Sequence, residues 1–161
     1  MLAGYDGPTM APETTSATAF AAEGALMEYL HPDYGVQIYR YLRNHSGTAF
    51  AKGIAVDFET DSQVDVELAA ANSLRTVVGG ITQNTVPAGY YFWGLVRGKG
   101  QVKVDAAAAD AVNPGELMRV TAAAGTLDST AFTHAAELIA RSLATIAADA
   151  VGLAEVSVFG G

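Results

Sequence analysis

The glycine-spaced basic segment GLVRGKG, residues 94–100, has the residue types of a phosphate-binding loop. A loop of the form G-x-x-x-x-G-K-[ST] wraps phosphates with backbone N–H groups and holds Mg²⁺ with its hydroxyl. Here the spacing from Gly94 to Gly98 is one residue too short, and Gly100 follows Lys99 where Ser or Thr is required. Strand-like sequences flank the segment on both sides, so we predict a tight hairpin turn over residues 98–100 instead.

Histidines and serines show no spacing typical of a reactive site. None of the histidines lies in an H-x-H or H-x-x-x-H arrangement that would aim two imidazoles at one metal, so we expect turn or surface positions for His31, His45 and His134. No G-x-S-x-G motif occurs, and cysteine is absent, which excludes thiolate sites and disulfides. These observations predict a non-enzymatic protein without a cofactor.

The densest run of acidic residues lies between positions 57 and 67. Its alternation favours a solvated strand face or an acidic loop. A Ca²⁺ loop of the D-x-[DN]-x-[DN]-G type would need a glycine that this run lacks. A hard-cation site built from Asp57, Glu59 and Asp61 is the less favoured alternative.

Composition and charge limit the classes of partner that the protein is expected to bind. The chain has 161 residues, of which 16% are charged, below the roughly 25% of typical soluble domains. A surface with little charge is expected where a partner or further copies cover it. The formal net charge of −8 argues against direct nucleic-acid binding. No signal peptide and no apolar run of about 18 residues is visible, so no membrane partner is predicted.

Alternating apolar and polar residues predict the elements. Segment 1–19 is rich in Thr, Ala, Pro and Gly and predicts a flexible N-terminal arm. Segment 20–161 predicts a single β-rich domain, because strand patterns recur roughly every ten residues between Gly/Pro turns. We therefore expect a mainly β fold, a small antiparallel β-barrel or sandwich with at most one or two short helices.

Some segments leave their structure open. The stretch SATAFAAEGALMEYL, residues 16–30, fits a short helix or the approach to the first strand. Residues 60–73 predict a loop, with a helical turn as the alternative. The stretch LIARSLATIA, residues 138–147, is helical by composition and strand-like by alternation. VPAGYYFWGLV and VNPGELMRVT each place Pro-x-Gly or Pro-Gly just before a strand, which forms a soft internal echo.

The aromatic run YYFW, residues 90–93, carries the main binding hypothesis. In a strand, Tyr90 and Phe92 point to one face and Tyr91 and Trp93 to the other. One pair then serves the core. The other pair is covered by a partner or a symmetry mate, or, as an equal alternative, by a second core of the same chain.

The order of elements over about residues 34–159 resembles that of the small capsid decoration (cement) proteins of tailed bacteriophages. The segments that carry the resemblance are YRYLRNHSGTAFAKGIAV (39–56), VPAGYYFWGLV (86–96), QVKVD (101–105), NPGELMRVT (113–121), ELIARSLATIAAD (137–149) and AEVSVF (154–159). They consist of turn glycines and apolar strands without a reactive residue. Residues 1–30 have no counterpart in the family.

The resemblance implies a β-rich domain on the outer capsid surface of a virion. Such proteins bind as homotrimers, bridge neighbouring major capsid subunits and stabilise the shell. The N-terminal arm is expected to add a strand to a partner's sheet. The expected interaction residues are Tyr5, Pro8, Pro12, Phe20, Tyr91 and Trp93. The alternatives are another virion component, such as a head fibre base or tail accessory, and a carbohydrate-binding module that uses exposed aromatics.

Overall fold

In a computed structural model, the described part of the chain forms ten β-strands. The structure describes residues 11–71, 73–74, 77–108, 111–121, 125–129 and 137–158, and these contain no α-helix. The strands are β1 (Leu26–His31), β2 (Gly35–Asn44), β3 (Ala55–Phe58), β4 (Asp65–Leu68), β5 (Val78–Ile81), β6 (Tyr91–Lys103), β7 (Leu117–Val120), β8 (Leu127–Asp128), β9 (Ala140–Ser142) and β10 (Val151–Ser157). The predicted mainly β class is confirmed. Within the described ranges no helix is long and apolar enough to span a membrane.

The strands are joined in the order β1-β2-β4-β3-β5-β6-β10-β9-β7-β8, and β2 also pairs with β6. The extra pairing closes β2, β4, β3, β5 and β6 into a five-strand ring, which we call the first ring. The link between β5 and β6 is a single residue pair, Ile81 with Leu95. Most neighbours are antiparallel, whereas β2 and β4 are parallel.

The interior of the first ring is filled by large apolar side chains. Leu42 of β2, Val56 of β3, Val66 of β4 and Phe92 of β6 belong to one buried cluster. The interior of a five-strand ring has little space for side chains, and the sequence has glycine at one of the most crowded positions. A Cβ on Gly94 would stand 2.7 Å from Cδ1 of Leu42, so any larger residue there would displace the core.

The second half of the chain forms a looser second ring of β6, β10, β9, β7 and β8. Val104, just after β6, makes a parallel bridge to Leu127 of β8 and brings the two ends of this row together. Its interior belongs to a larger apolar cluster that includes Val102, Met118 and Val156. β6 therefore contributes to both rings.

Turns before four of the strands share one geometry. A residue with positive φ stands two positions before β3, β6, β7 and β10, namely Gly53, Gly89, Gly115 and Asp149. Each donates its backbone N–H to a carbonyl at or just beyond the end of another strand, on Thr82, Asn44, Ser142 and Asp105 respectively. All four acceptor residues are buried polar residues. The echo seen in the sequence is thus a repeated turn.

The predicted hairpin turn at residues 98–100 is wrong. β6 continues through this segment for 13 residues, paired with β2 up to Arg97 and with β10 from Arg97 onward. The glycines serve close packing instead. A Cβ on Gly100 would lie 2.2 Å from Cδ2 of the fully buried Leu95.

Three further segments resolve as strands. The interpretation of residues 60–73 as a loop is wrong, because β4 lies within them and supplies Val66 to the first core. The open stretch 138–147 contains β9, and the open stretch 16–30 ends in β1. Tertiary pairing decides each of these cases, since none of the three stretches has a decisive local pattern.

Candidate interaction site

Three aromatic rings from β2 and β6 form a contiguous cluster, which we call the aromatic cluster. The centroids of Tyr41 and Trp93 are 5.0 Å apart, and those of Tyr41 and Tyr91 are 5.6 Å apart with nearly parallel planes. The sheet places them together because Tyr41 pairs with Trp93 in register and Tyr91 lies two residues earlier on the same face of β6. Tyr41 and Trp93 belong to the larger apolar core, and Tyr91 packs against it.

Residues 11–25 run across this cluster, and we call residues 11–20 the strap. The strap makes an isolated antiparallel pair with β6: the N–H of Ser16 donates to the carbonyl of Tyr91 at 3.0 Å, and the reverse bond is 2.8 Å. Phe20 packs edge-on against Tyr41 at 4.9 Å and is 6.5 Å from Trp93. Its N–H donates to the hydroxyl of Tyr41 at 2.9 Å. Asn84 donates its side-chain amide to the carbonyl of Glu13.

The predicted interaction residues divide between the described and undescribed parts of the chain. Tyr5 and Pro8 lie outside the described residues. Pro12 is buried, and Phe20 and Tyr91 are half-buried. The structure thus brings Phe20 of the strap together with Tyr91 and Trp93 of β6. The large aromatics of β6 are buried on both faces by the chain itself, Phe92 in the first ring and Trp93, only 6% exposed, in the larger cluster.

Burial governs the electrostatics beneath the strap. Burial raises the pKa of the Tyr41 hydroxyl, and the hydrogen bonds with the backbone of Phe20 and Ala21 oppose this rise. Burial likewise raises the pKa of Tyr39, with smaller contributions from Glu13 and Tyr29. Both hydroxyls therefore stay protonated at neutral pH. Nε1 of Trp93 is buried without a hydrogen-bond partner among the described residues.

A second surface is the outer face of the β1–β2 hairpin, which we call the hairpin face. Leu30 is 73% exposed, Leu26 58% and Val36 54%. Leu30 and Val36 stand opposite each other in register. Large apolar side chains grouped on one exposed face mark an interaction site more often than singly scattered ones do. The predicted turn HPDYG closes this hairpin.

The acidic run does not assemble a cation site in the described part of the chain, where no three potential ligands cluster. Asp57 is buried in β3 and accepts hydrogen bonds from Ser73 and from the backbone N–H of Ala70. Glu59 accepts a hydrogen bond from His45, and Asp61 is exposed in a turn with φ of 68°. The three carboxylates therefore lie in different environments and do not converge on one site.

His45 has a partner that sequence reasoning missed. Its Nδ1 lies 2.8 Å and 2.9 Å from the two carboxylate oxygens of Glu59, linking the end of β2 to the end of β3. His45 is exposed, as predicted for a surface histidine, and His31 is half-exposed, whereas His134 lies outside the described residues. Fourteen residues separate the His45–Glu59 pair in sequence, so no local spacing could have revealed it.

Comparison with known proteins finds similarity at the level of structure. No protein-family model and no curated protein matches this chain. The crystal structure of head fiber gp8.5 N base in bacteriophage phi29 is similar to it with a TM-score of 0.54 and 11% sequence identity. The match covers 83% of this chain and 96% of that chain. At this identity the similarity establishes a shared fold.

Proposed function

We propose that this protein is a non-enzymatic structural component of a tailed-bacteriophage virion and that it binds the outer surface of the head. The observation that carries the proposal is the fold shared with the phi29 head fibre base over almost the whole of that chain. The resemblance of residues 34–159 to capsid decoration proteins supports the same location from the sequence.

The distribution of polar groups supports a role without catalysis. The buried residues Asn44, Thr82, Asp105 and Ser142 use their backbone carbonyls to close the repeated turns. Several of their side chains also bond to the backbone of nearby loops. The amide of Asn44, for example, donates to the carbonyls of Thr48, Val86 and Pro87. These groups are engaged in shaping the fold.

Two roles on the head are compatible with this fold. In the first, the protein decorates the shell as a homotrimer and bridges neighbouring major capsid subunits, as the sequence resemblance implies. In the second, it forms the base of a head fibre, which the structural match to a head fibre base favours. The Trp93 indole lies under the strap, so a carbohydrate-stacking platform would require the strap to move.

A cryo-electron microscopy map of the parent particle tests the proposal directly. Density for this fold on the outer surface of the head is expected. A fibre rising from it would select the second role, and a bare domain that spans two capsid subunits would select the first. Absence of the protein from the head would refute the proposal.

The hairpin face provides the variant for a binding test. We expect Leu30→Ser combined with Val36→Ser to weaken binding to heads that lack the protein by about tenfold or more, because two apolar side chains lose their burial in the complex. Co-sedimentation with such heads measures the affinity.

A second double variant, on another surface of the protein, controls for nonspecific effects of removing two exposed apolar side chains. Leu117 and Val151 are 42% and 41% exposed and belong to the second ring. Leu117→Ser combined with Val151→Ser should leave head binding unchanged. Equal losses for the two double variants would exclude the hairpin face as the contact surface.

A further inference from the structure

We propose that the aromatic cluster, together with the edge of β6 at Tyr91, is a docking site for the strap of a second copy of this chain. Two copies would exchange residues 11–20 reciprocally, each strap occupying the other's site. This inference concerns the purified protein and does not depend on the proposed function.

The strap is bound as a separate peptide would be. Within the described residues, the strap contacts the body through one residue pair with β6, the bond from the Phe20 N–H to Tyr41, the ring contacts of Phe20, the Asn84 bond to Glu13 and the burial of Pro12. Residues 17–19 between the two anchors are exposed. This is the pattern of strand addition combined with one aromatic anchor.

The edge of β6 leaves room for such an addition. β5 reaches β6 only at Leu95, and β10 pairs with it from Arg97 onward. At Tyr91, β2 pairs through Arg43, and Ser16 takes the other edge. A sheet edge whose neighbour begins several residues later is a ready template for an incoming strand.

A single β-turn connects the strap to the body. Ala25 donates its N–H to the carbonyl of Ala22 at 3.0 Å, and Gly24 within this turn has φ of 70°. From Gly24 onward the chain is anchored to β2, because the N–H of Gly24 donates to the carbonyl of Tyr41 at 3.2 Å and the N–H of Tyr41 donates to the carbonyl of Ala25 at 2.8 Å. If the turn opens, the chain continues backward in line with β1 and carries the strap away from its own site.

The occupant is a second copy because the site already accommodates this sequence. A strap from another copy makes the same hydrogen bonds and ring contacts as the strap in place, so exchange creates no unsatisfied group. Such exchange of an identical element is a low-cost route to oligomers. An unrelated peptide would have to reproduce both the Ser16 pairing and the Phe20 anchor.

Cysteine crosslinking tests the exchange with the 161-residue chain, which contains no native cysteine. One preparation carries Ser16→Cys and a second, distinguishable in mass, carries Tyr91→Cys. After mixing and mild oxidation, we expect a disulfide-linked heterodimer whose fraction rises with protein concentration. Thr18→Cys replaces Ser16→Cys in the control, because Thr18 is exposed and stands away from the paired position.

A chain that carries both cysteines shows whether the strap stays on its own body. If Ser16→Cys and Tyr91→Cys in one chain form a disulfide, but the mixture gives no more heterodimer than the Thr18→Cys control, the strap stays on its own body and the proposal is wrong. Absence of both crosslinks would also overturn it. Should Tyr91→Cys fail to fold, Glu13→Cys with Asn84→Cys tests the docking of the strap at a second contact outside the aromatic cluster.

The turn provides an independent second measurement. Gly24→Ala strains the closed turn, because a residue with a Cβ disfavours this left-handed conformation. The exchanged fraction should rise about five- to thirtyfold. Gly47→Ala is the matched control, since a Cβ at Gly47 meets open space. An equal heterodimer fraction in the two variants would contradict the assigned hinge.

Discussion

Asp57 differs from the other buried carboxylates in what its two oxygens meet. One oxygen accepts hydrogen bonds from Ser73 and Ala70, whereas Oδ1 is buried and has no hydrogen-bond partner among the described residues. Burial raises the pKa of this carboxyl, and the two hydrogen bonds oppose the rise. A buried carboxylate that is only half satisfied is costly while it is ionised.

The raised pKa makes the contribution of Asp57 to stability depend on pH. The folded chain holds this proton more tightly than the unfolded chain does, where the pKa is about 3.9. The stabilisation is therefore fully present below the unfolded value and is lost as the pH rises through the folded value. We expect Asp57→Asn to gain stability relative to the native chain as the pH rises above about 4.

Urea unfolding at a series of pH values measures this difference. Asp33→Asn, at an exposed position in the hairpin turn, controls for the loss of one negative charge. A stability difference for Asp57→Asn that shows no more pH dependence than the Asp33→Asn control would mean that burial of Asp57 has no net energetic effect.

At the scale of the element, the strap has one spectroscopic reporter, since Trp93 is the only tryptophan. Removing the Phe20 ring uncovers Trp93 and the edge of Tyr41. We expect Phe20→Ala to shift the Trp93 emission to longer wavelength and to lower the free energy of unfolding by about 1–3 kcal/mol, less than for a fully buried Phe.

Fluorescence spectra and denaturant unfolding check both effects. Tyr34→Ala removes a comparable ring at the hairpin tip, where it stacks on His31 at 4.3 Å, and serves as the control. If both variants leave the Trp93 spectrum unchanged, the strap does not cover the indole in solution.

The elements differ in how well the sequence predicts them. The strand VQIYRYLRN, within β2, alternates strictly, and its side chains do divide between two buried clusters. The glycines of β6 misled, because Gly98 and Gly100 imitate a turn in sequence. Glycine is required at these positions because Val36, Gln37 and Leu95 lie too close for a Cβ, and only the fold reveals this proximity.

The candidate site was partly accessible from sequence. The alternation in YYFW correctly places Tyr91 and Trp93 on one face, opposite Phe92. Which layer covers them could not be predicted, because Phe20 lies more than 70 positions away and its segment has no clear periodicity. The His45–Glu59 pair was missed because residues fourteen positions apart at the ends of two different strands show no local spacing signal.

At the scale of the whole molecule, Gly53 lies where the two rings meet. Its carbonyl accepts a hydrogen bond from the N–H of Lys103 at 2.7 Å, in the part of β6 that pairs with β10. A Cβ at this position would stand 2.7 Å from the same nitrogen and 2.9 Å from the carbonyl carbon of Val102. Only glycine allows this approach and the φ of 83° together.

We therefore expect Gly53→Ala to lower the free energy of unfolding by roughly 2–5 kcal/mol, the combined cost of backbone strain and overpacking. Gly47→Ala should stay within about 0.5 kcal/mol of the native chain. Equilibrium denaturant unfolding measures both. A similar small loss in the two variants would show that the rings can separate at Gly53 without cost.

Among the named strands, β6 alone belongs to both rings, and this has a mechanical consequence. Tension applied to one ring passes to the other along this continuous backbone and through the hydrogen bonds that Gly125 makes with Ala55 and Ala69. Such an arrangement spreads an applied force over several bonds at once. Fracture would then begin at the single-pair contact between β5 and β6.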